Sequence, residues 1–190
     1  NTVNTITFAH NLFTPTLTTT GNGYSLALLG ANTAISNATT ILNTGGLTLG
    51  DAATDTLSFA GGLTATAPSA ISVAGHVSTS GAGAMTLGDA NTALTLADDT
   101  WLTTAGGALT VGGAVHGSSA NTQSLTLDAT SAGTLSVTGA VGQTTSLKTL
   151  TLTHSSSANF AAAVKADTSV VLSNTVNTIT FAHNLFTPTL

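Results

Sequence analysis

The chain has 190 residues, no cysteine and few charges, with seven acidic residues, two basic ones (Lys148 and Lys165) and a formal net charge of −5. Only 5% of its residues are charged, against roughly 25% in ordinary soluble domains, so a basic surface for nucleic acid is excluded. The missing cysteines exclude disulfides and thiolate metal sites. No apolar run approaches the roughly 18 residues of a membrane helix, so membrane insertion is not expected.

Apolar residues alternate with Thr or Ser along most of the chain, which predicts short strands with one inward face. In chain order, the predicted strands are centred on 3–8, 47–49, 57–59, 71–73, 85–87, 94–96, 109–111, 125–127, 135–137 and 150–152. Clusters rich in Gly and Asn between them, such as 43–46 and 106–107, predict turns. Only residues 158–165 (ANFAAAVK) offer a helical turn, and Phe160 and Val164 suit a strand equally well.

The sequence contains a long exact repeat. Residues 1–17 (NTVNTITFAHNLFTPTL) recur without change as residues 174–190. We therefore interpret residues 1–173 as one full tandem repeat and residues 174–190 as the start of the next. On this interpretation the chain is a slice of a longer array, and its ends are an arbitrary phase of the repeat.

A shorter repeat lies inside the long one. Residues 109–115 (LTVGGAV) match residues 135–141 (LSVTGAV) at an offset of 26, and residues 71–77 (ISVAGHV) have the same form. The string LGDA occurs at 49–52 and again at 87–90. Successive strand centres are separated by about 10 or about 15 residues, and these two spacings add up to a rung of roughly 25 residues. A long repeat would then hold about seven rungs, and a rung of about 19–20 residues is the alternative.

Short, evenly spaced strands suit a sandwich, a barrel or a solenoid, and the nested repeats favour the solenoid. We predict an all-β fold, a parallel β-helix in which Leu, Ile, Val and Phe stack inward and Thr, Ser and Asn form outward ladders. At about 4.8 Å per rung, seven rungs advance roughly 34 Å. Residues 1–17 and 174–190 should then occupy equivalent places along one axis.

The sequence resembles the β-strand-repeat proteins of bacterial surfaces, which include autotransporter passengers and filamentous-haemagglutinin-like adhesins. The likeness rests on residues 135–142 (LSVTGAVG), 146–153 (SLKTLTLT) and 107–115 (GALTVGGAV). It implies a right-handed β-helix, an extracellular or cell-surface location, and adhesive or matrix-forming roles. It supplies no catalytic residues.

The acidic residues are candidates for chemistry. Asp98-Asp99 is the only adjacent acidic pair, and paired carboxylates cleave glycans when they stand about 5–10 Å apart. Without arginine to hold an acidic glycan, we interpret the pair as a turn. Asp51, Asp89 and Asp128 each follow a strand, but the Gly-Gly-x-Gly-x-Asp signature of calcium repeats is absent. We expect them to bond to their own turns, with weak calcium binding as the alternative.

The remaining candidates each have a simple structural interpretation. Five histidines lack metal-ligand spacing, so we predict no metal site; they are His10, His76, His116, His154 and His183. Glycines 112, 113 and 117 follow a strand as a phosphate loop would, but without a following helix they predict a corner. Trp101 and Tyr24 could stack on sugars, though core or edge packing is the expected role.

Closely spaced threonines could order water on a flat face. They occur as Thr5/Thr7, Thr64/Thr66, Thr149/Thr151/Thr153 and Thr178/Thr180. Because they do not recur at one rung position in the sequence, we interpret them as ordinary outward strand residues.

These features predict a structural, non-enzymatic segment of a giant secreted or cell-surface protein, forming a rod, filament or sheath without cofactors. Its expected partners are neighbouring repeats of the same chain and other copies in filaments or lateral bundles. An adhesin stalk that binds glycans or another cell is the first alternative. A polysaccharide-cleaving β-helix enzyme that uses Asp98 and Asp99 is the second.

Overall fold

The computed structural model describes residues 4–190, and Val3 of the first predicted strand lies outside them. The described chain is all β, without helices, and every strand pairing in it is parallel, which confirms the predicted β-solenoid. The strands are β1 (Thr5–Phe8), β2 (Phe13–Thr14), β3 (Ser25–Leu28), β4 (Asn32–Ile35), β5 (Thr39–Thr40), β6 (Gly46–Leu49), β7 (Thr56–Phe59), β8 (Leu63–Ala65), β9 (Ala70–Thr79), β10 (Met85–Leu87), β11 (Ala93–Thr104), β12 (Leu109–Val111), β13 (Val115–Gly117), β14 (Leu125–Asp128), β15 (Thr134–Val137), β16 (Leu147–His154), β17 (Ser157–Phe160), β18 (Val164–Leu172), β19 (Ile179–Phe181) and β20 (Leu185–Phe186).

Each coil of the solenoid crosses three strand faces. The first face holds β1, β3, β6, the starts of β9 and β11, β13, the start of β18, and β20. The second holds β2, β4, β7, the ends of β9 and β11, β14, β16 and the end of β18. The third holds β5, β8, β10, β12, β15, β17 and β19. The long strands β9, β11 and β18 turn the corner between the first two faces, which joins those faces into one sheet.

The coils are unequal in length. On the first face, the inward positions at successive coils are 6, 26, 47, 71, 94, 115, 141, 164 and 185. The shortest coil runs from position 6 to 26 and the longest from 115 to 141. The mean coil of about 22 residues lies between the two predicted rung lengths. The register of paired strands shifts where residues are inserted, as between Leu96 and Thr100, and the ladders on either side of each shift stay aligned.

The predicted equivalence of the two 17-residue copies is wrong. Thr5–Phe8 pairs with Ser25–Leu28 on the first face of the first coil. The second copy places Ile179–Phe181 beside Ala158–Phe160 on the third face of the eighth coil. The long repeat therefore spans seven and two-thirds coils, close to the predicted seven, and advances about 37 Å instead of roughly 34 Å. The duplication sets the period of the repeat, but the corner insertions decide its phase.

The interior is one continuous hydrophobic core. The alternation that predicted the strands places Leu, Ile, Val and Phe inward in columns, with side chains such as Leu28, Phe59 and Leu102 fully buried. Two phenylalanines extend the third-face column, because the rings of Phe160 and Phe181 stack with centroids 4.9 Å apart and planes 6° from parallel. The core thus runs along the axis of the rod, and the outward residues form three solvent-facing surfaces.

Residues 158–165, which offered a possible helical turn, are strand and corner. Ala158 and Phe160 belong to β17 and point inward, and Val164 begins β18 and is fully buried. The strand interpretation of this segment is confirmed, because period-two burial on a sheet accommodates both large side chains.

Candidate functional site

The Asp98-Asp99 pair lies at the corner between the first and second faces, where the register of β11 shifts against β9. Asp98 Oδ2 accepts a hydrogen bond from the Ala53 N–H at 3.1 Å, and its Oδ1 accepts one from the Asp99 N–H at 2.8 Å. Asp99 Oδ1 accepts a hydrogen bond from the Ser124 N–H at 2.7 Å. Both carboxylates therefore accept backbone N–H groups at a bulge within β11, so the pair lies inside a bent strand and not in the turn that the sequence suggested. Bonds to Ala53 and Ser124 also join this corner to coils two below and one above it.

A second acidic contact lies at the same corner two coils earlier. Asp55, which the sequence did not single out, is buried, and its Oδ2 accepts the N–H groups of Asp51 and Ala52 at 2.9 and 3.1 Å. The pKa of Asp51 is raised, mainly by partial desolvation and further by the hydrogen bond and negative charge of Asp55. The turn at Asp51 is therefore held by the carboxylate of Asp55.

Asp89 and Asp128 behave as expected for turn residues. Asp89 Oδ1 accepts the Asn91 N–H and the Thr92 hydroxyl, both at 2.9 Å, and these bonds lower the pKa of Asp89. Asp128 Oδ1 accepts the Thr130 N–H at 2.8 Å. No three His, Asp or Glu side chains within residues 4–190 gather closely enough to hold a metal ion.

The structure pairs two histidines with residues one coil away. His154 Nδ1 lies 3.1 Å from Asp128 Oδ2, and the ring of His76 stacks on Trp101 with centroids 4.3 Å apart and planes 1° from parallel. A full coil of chain separates each histidine from its partner, so only the strand register could have revealed the two pairs. His10 and His183 are exposed outside the strands, and His116 is half-buried on the first face.

The structure also places the remaining candidates, the glycines, Tyr24 and Trp101. Gly113 lies at a corner so tight that a Cβ there would overlap the carbonyl oxygen of Thr92, which confirms the corner interpretation for this glycine. Gly117 instead ends the strand β13. Tyr24 is half-buried, and its hydroxyl accepts the Thr20 N–H at 3.1 Å. Trp101 is half-buried, with one ring face covered by His76, so its stacking surface is only partly available to a sugar.

The third face carries a hydroxyl column that the sequence did not reveal. One outward residue per coil lies in register over seven coils, and six of these residues carry a hydroxyl group while Asn159 carries an amide; they are Thr40, Thr64, Thr86, Thr110, Ser136, Asn159 and Thr180. The threonine pairs themselves fall on different faces, with Thr5/Thr7 on the first, Thr149/Thr151 on the second and Thr180 on the third. Thr64 and Thr180, which come from two of the pairs, both lie in the third-face column, so the prediction that the pairs do not recur at one position is wrong for these two.

The first face contains a shallow groove of about 270 Å³. Small side chains from several coils line it, among them Ser25, Ala27, Thr48, Ala70 and Ser72. It carries no charge and places hydroxyl groups beside methyl groups, a surface that suits a neutral polar chain. It provides no nucleophile, acid or base arranged around a reacting atom.

Comparisons of this chain with protein-family models, curated proteins and solved structures found no match. Within the described residues, the structure contains no helix of the length and hydropathy needed to cross a membrane.

Proposed function

We propose that this chain is a structural, non-enzymatic segment of a secreted or cell-surface tandem-repeat protein, and that it acts as a stiff rod. The observation that carries the proposal is the uninterrupted core. The first-face register continues from Ile6 to Leu185, so each coil rests on its neighbour through both backbone ladders and side-chain columns. A rod of this kind resists bending because any bend must break contacts on one side of a packed interior.

The carboxylates support a structural role. Asp55, Asp98 and Asp99 are engaged by backbone N–H groups at corners, where they stabilise the path of the chain. A glycosidase needs carboxyl groups free to move a proton or attack the sugar. The low charge of the faces also permits lateral packing of rods into bundles, since like charges do not oppose it.

Both lysines lie in paired strands, where they are protected from proteases such as those that a secreted protein meets outside the cell. Lys148 lies in β16 and Lys165 in β18, and Lys165 Nζ is 3.7 Å from Asp167 Oδ1. A protease of trypsin specificity would have to open a paired strand at either site. We expect the folded chain to survive trypsin and to be cleaved only when unfolded in urea. Rapid cleavage of the folded chain at Lys148 would count against this role.

The rod is tested by its length. Chains that contain one, two and three copies of the long repeat should differ in maximum dimension by about 37 Å per repeat at constant cross-section, measured by small-angle X-ray scattering. Increments well below this value, or a growing cross-section, would contradict a stiff rod.

The groove on the first face favours one second function, an adhesin stalk that binds glycans. An extended sugar chain could bind along the uncharged rows of Ser, Thr and Ala that line the groove. Binding to a glycan array that is lost in Ser72→Phe, while the control Ser136→Phe on the third face still binds, would support this function. No binding by the unmodified chain would reject it.

A further inference from the structure

Residues 4–17 and their copies, residues 177–190, keep the same local structure in different surroundings. Thr14 Oγ1 donates to the Thr16 carbonyl oxygen at 3.0 Å, and Thr187 Oγ1 donates to the Thr189 carbonyl oxygen at 2.7 Å. The first strand of each copy also has nearly the same limits, Thr5–Phe8 and Ile179–Phe181, which correspond through the offset of the long repeat. The segment is therefore one structural unit seen twice.

The first copy shows what lies above this unit. The Asn4 carbonyl oxygen accepts the Ser25 N–H at 3.0 Å, and the Phe8 carbonyl oxygen accepts the Leu29 N–H at 2.8 Å. The Asn11 side chain adds a bond, because its Oδ1 accepts the Asn32 N–H at 3.0 Å. The upper edge of the segment thus uses the backbone of repeat positions 4 and 8.

The second copy shows what lies below. The Thr178 carbonyl oxygen accepts the Ala158 N–H at 2.9 Å, and the Ala182 N–H donates to the Phe160 carbonyl oxygen at 3.0 Å. These residues correspond to repeat positions 5 and 9. Successive residues of a strand direct their peptide groups to opposite edges, so the upper and lower bonds use different atoms. One copy of the segment can form both sets at once.

We infer that the repeat that begins at residue 174 continues above the coil of residues 174–190, and that this whole repeat is rotated about the rod axis by one face, one third of a turn, relative to the first. The inference rests on the rod proposed above. Its Ser25–Leu28 would pair with the 178–181 strand as it pairs with Thr5–Phe8, and that strand lies on the third face. The third face of one repeat therefore continues as the first face of the next.

The side chains agree with this junction. Phe181 stacks on Phe160 below it, and its counterpart Phe8 lies beside Leu28 in the first copy. The inward column of the junction is then Phe160, Phe181 and the Leu28 of the following repeat. The outward column runs from Asn159 through Thr180 to the following Ala27, so the hydroxyl column of the third face leads into the groove of the first.

The rotation sets the symmetry of the array. Three repeats restore the original orientation after 23 coils, or about 110 Å. The groove and the hydroxyl column then recur on all three sides of the rod in turn. In a bundle, a rotated array would present the groove and the column to neighbouring rods on all three of its sides. An unrotated array would present each of these surfaces on one side only.

The experiment uses a two-repeat chain, residues 1–173 followed by residues 1–190, with cysteine pairs on a cysteine-free background. The first pair is Asn159→Cys in the first repeat with Thr7→Cys in the second, since position 7 corresponds to Thr180. The matched control pairs Lys165→Cys of the first repeat with the same Thr7→Cys. It tests an unrotated junction, in which the segment would lie above the first-face strand of Lys165.

Outward neighbours on parallel strands stand about 4.8 Å apart, within the Cα range of a disulfide. We expect the Asn159 pair to close on mild oxidation and the Lys165 pair to stay reduced, as detected by peptide mass mapping. Closure of the Lys165 pair alone, or of neither pair, would overturn the rotated junction. Small-angle scattering on the same chains measures rod length independently of the disulfides. If the Asn159 pair closes but scattering shows a flexible array, the stiff rod is rejected and the rotated junction is retained.

Discussion

The carboxylate of Asp98 accepts a hydrogen bond from the backbone N–H of Ala53 at 3.1 Å, although 45 residues and two coils separate them. The coil between them has a tight corner at Gly75, where β9 turns from the first face to the second. Asp98 reaches past that corner, and Asp99 binds Ser124 of the next coil. The acidic pair thereby joins three coils within a span of four.

Replacing this pair should lower stability without changing the fold. Asp98→Ala leaves the N–H groups of Ala53 and Asp99 without their carboxylate acceptor, and we expect a loss of about 1–3 kcal/mol in the free energy of unfolding. Asp98→Asn keeps one side-chain oxygen and should lose less. Urea unfolding followed by circular dichroism measures both. An Asp98→Ala variant as stable as the unmodified chain would show that water replaces the carboxylate fully.

Asp51 should make stability depend on pH. Its pKa is raised in the folded chain, by desolvation first and then by Asp55, so folding favours the protonated form. This contribution to stability is present below the unfolded pKa of 3.8 and is lost as the pH rises through the higher folded value. Asp51→Asn should therefore raise the melting temperature at pH 7 and not at pH 3. Equal shifts at both pH values would contradict the assignment.

Asp89 should contribute to stability with the opposite pH dependence to Asp51. Hydrogen bonds from Asn91 and Thr92 lower its pKa, so its contribution is present at neutral pH and is lost as the pH falls below the unfolded value of 3.8. Asp89→Asn should lower the melting temperature at pH 7, and the difference from the unmodified chain should narrow below pH 3.8. The two aspartate variants serve as controls for each other, because a general effect of charge would move both in one direction.

Glycine replacements should separate backbone strain from steric overlap. Gly75 has a φ of +76°, and a Cβ there would overlap the carbonyl oxygen of Asp55, whereas Gly81 has a φ of +57° in open space. Gly81→Ala should cost about 1–2 kcal/mol for its left-handed backbone, and Gly75→Ala should cost clearly more. Gly23→Ala, with neither feature, is the neutral control. Thermal unfolding ranks the three, and equal effects at Gly75 and Gly81 would reject the overlap.

The stacked phenylalanines should matter to the core and not to the surface. Phe160 is 1% exposed and stacks on Phe181, so Phe160→Ala should cost about 3–5 kcal/mol through lost packing and the cavity it leaves. Phe13, which is 64% exposed, is the matched control, and Phe13→Ala should cost far less. Similar losses in the two variants, measured by urea unfolding, would contradict the inward column.

The strands were readable because burial imposes a period of two on them. Nine of the ten predicted strand centres lie wholly within strands, and the first, 3–8, does so from Thr5 onward. Met85-Thr86-Leu87 shows why, with two buried side chains around one outward hydroxyl. Several other strands were missed, and length does not explain why, since the predicted β10 has three residues and the missed β4 has four. In β4 (Asn32–Ile35) the inward position 33 is a polar Thr and the outward position 34 is an apolar Ala, so the alternation does not mark the inward face, yet Thr33 and Ile35 are both buried.

The sequence by itself determined the all-β class, the stacking of inward columns and the long repeat, because strand alternation and exact duplication are properties of the chain alone. Only the tertiary structure decided the phase. Corner insertions lengthen some coils and not others, while the ladders on the faces stay paired. The number of inserted residues at each corner cannot be inferred from any local sequence pattern. Their sum puts Thr7 on the first face and its copy Thr180 on the third. The contacts of Asp98 with Ala53 and of His154 with Asp128 depend on that same register.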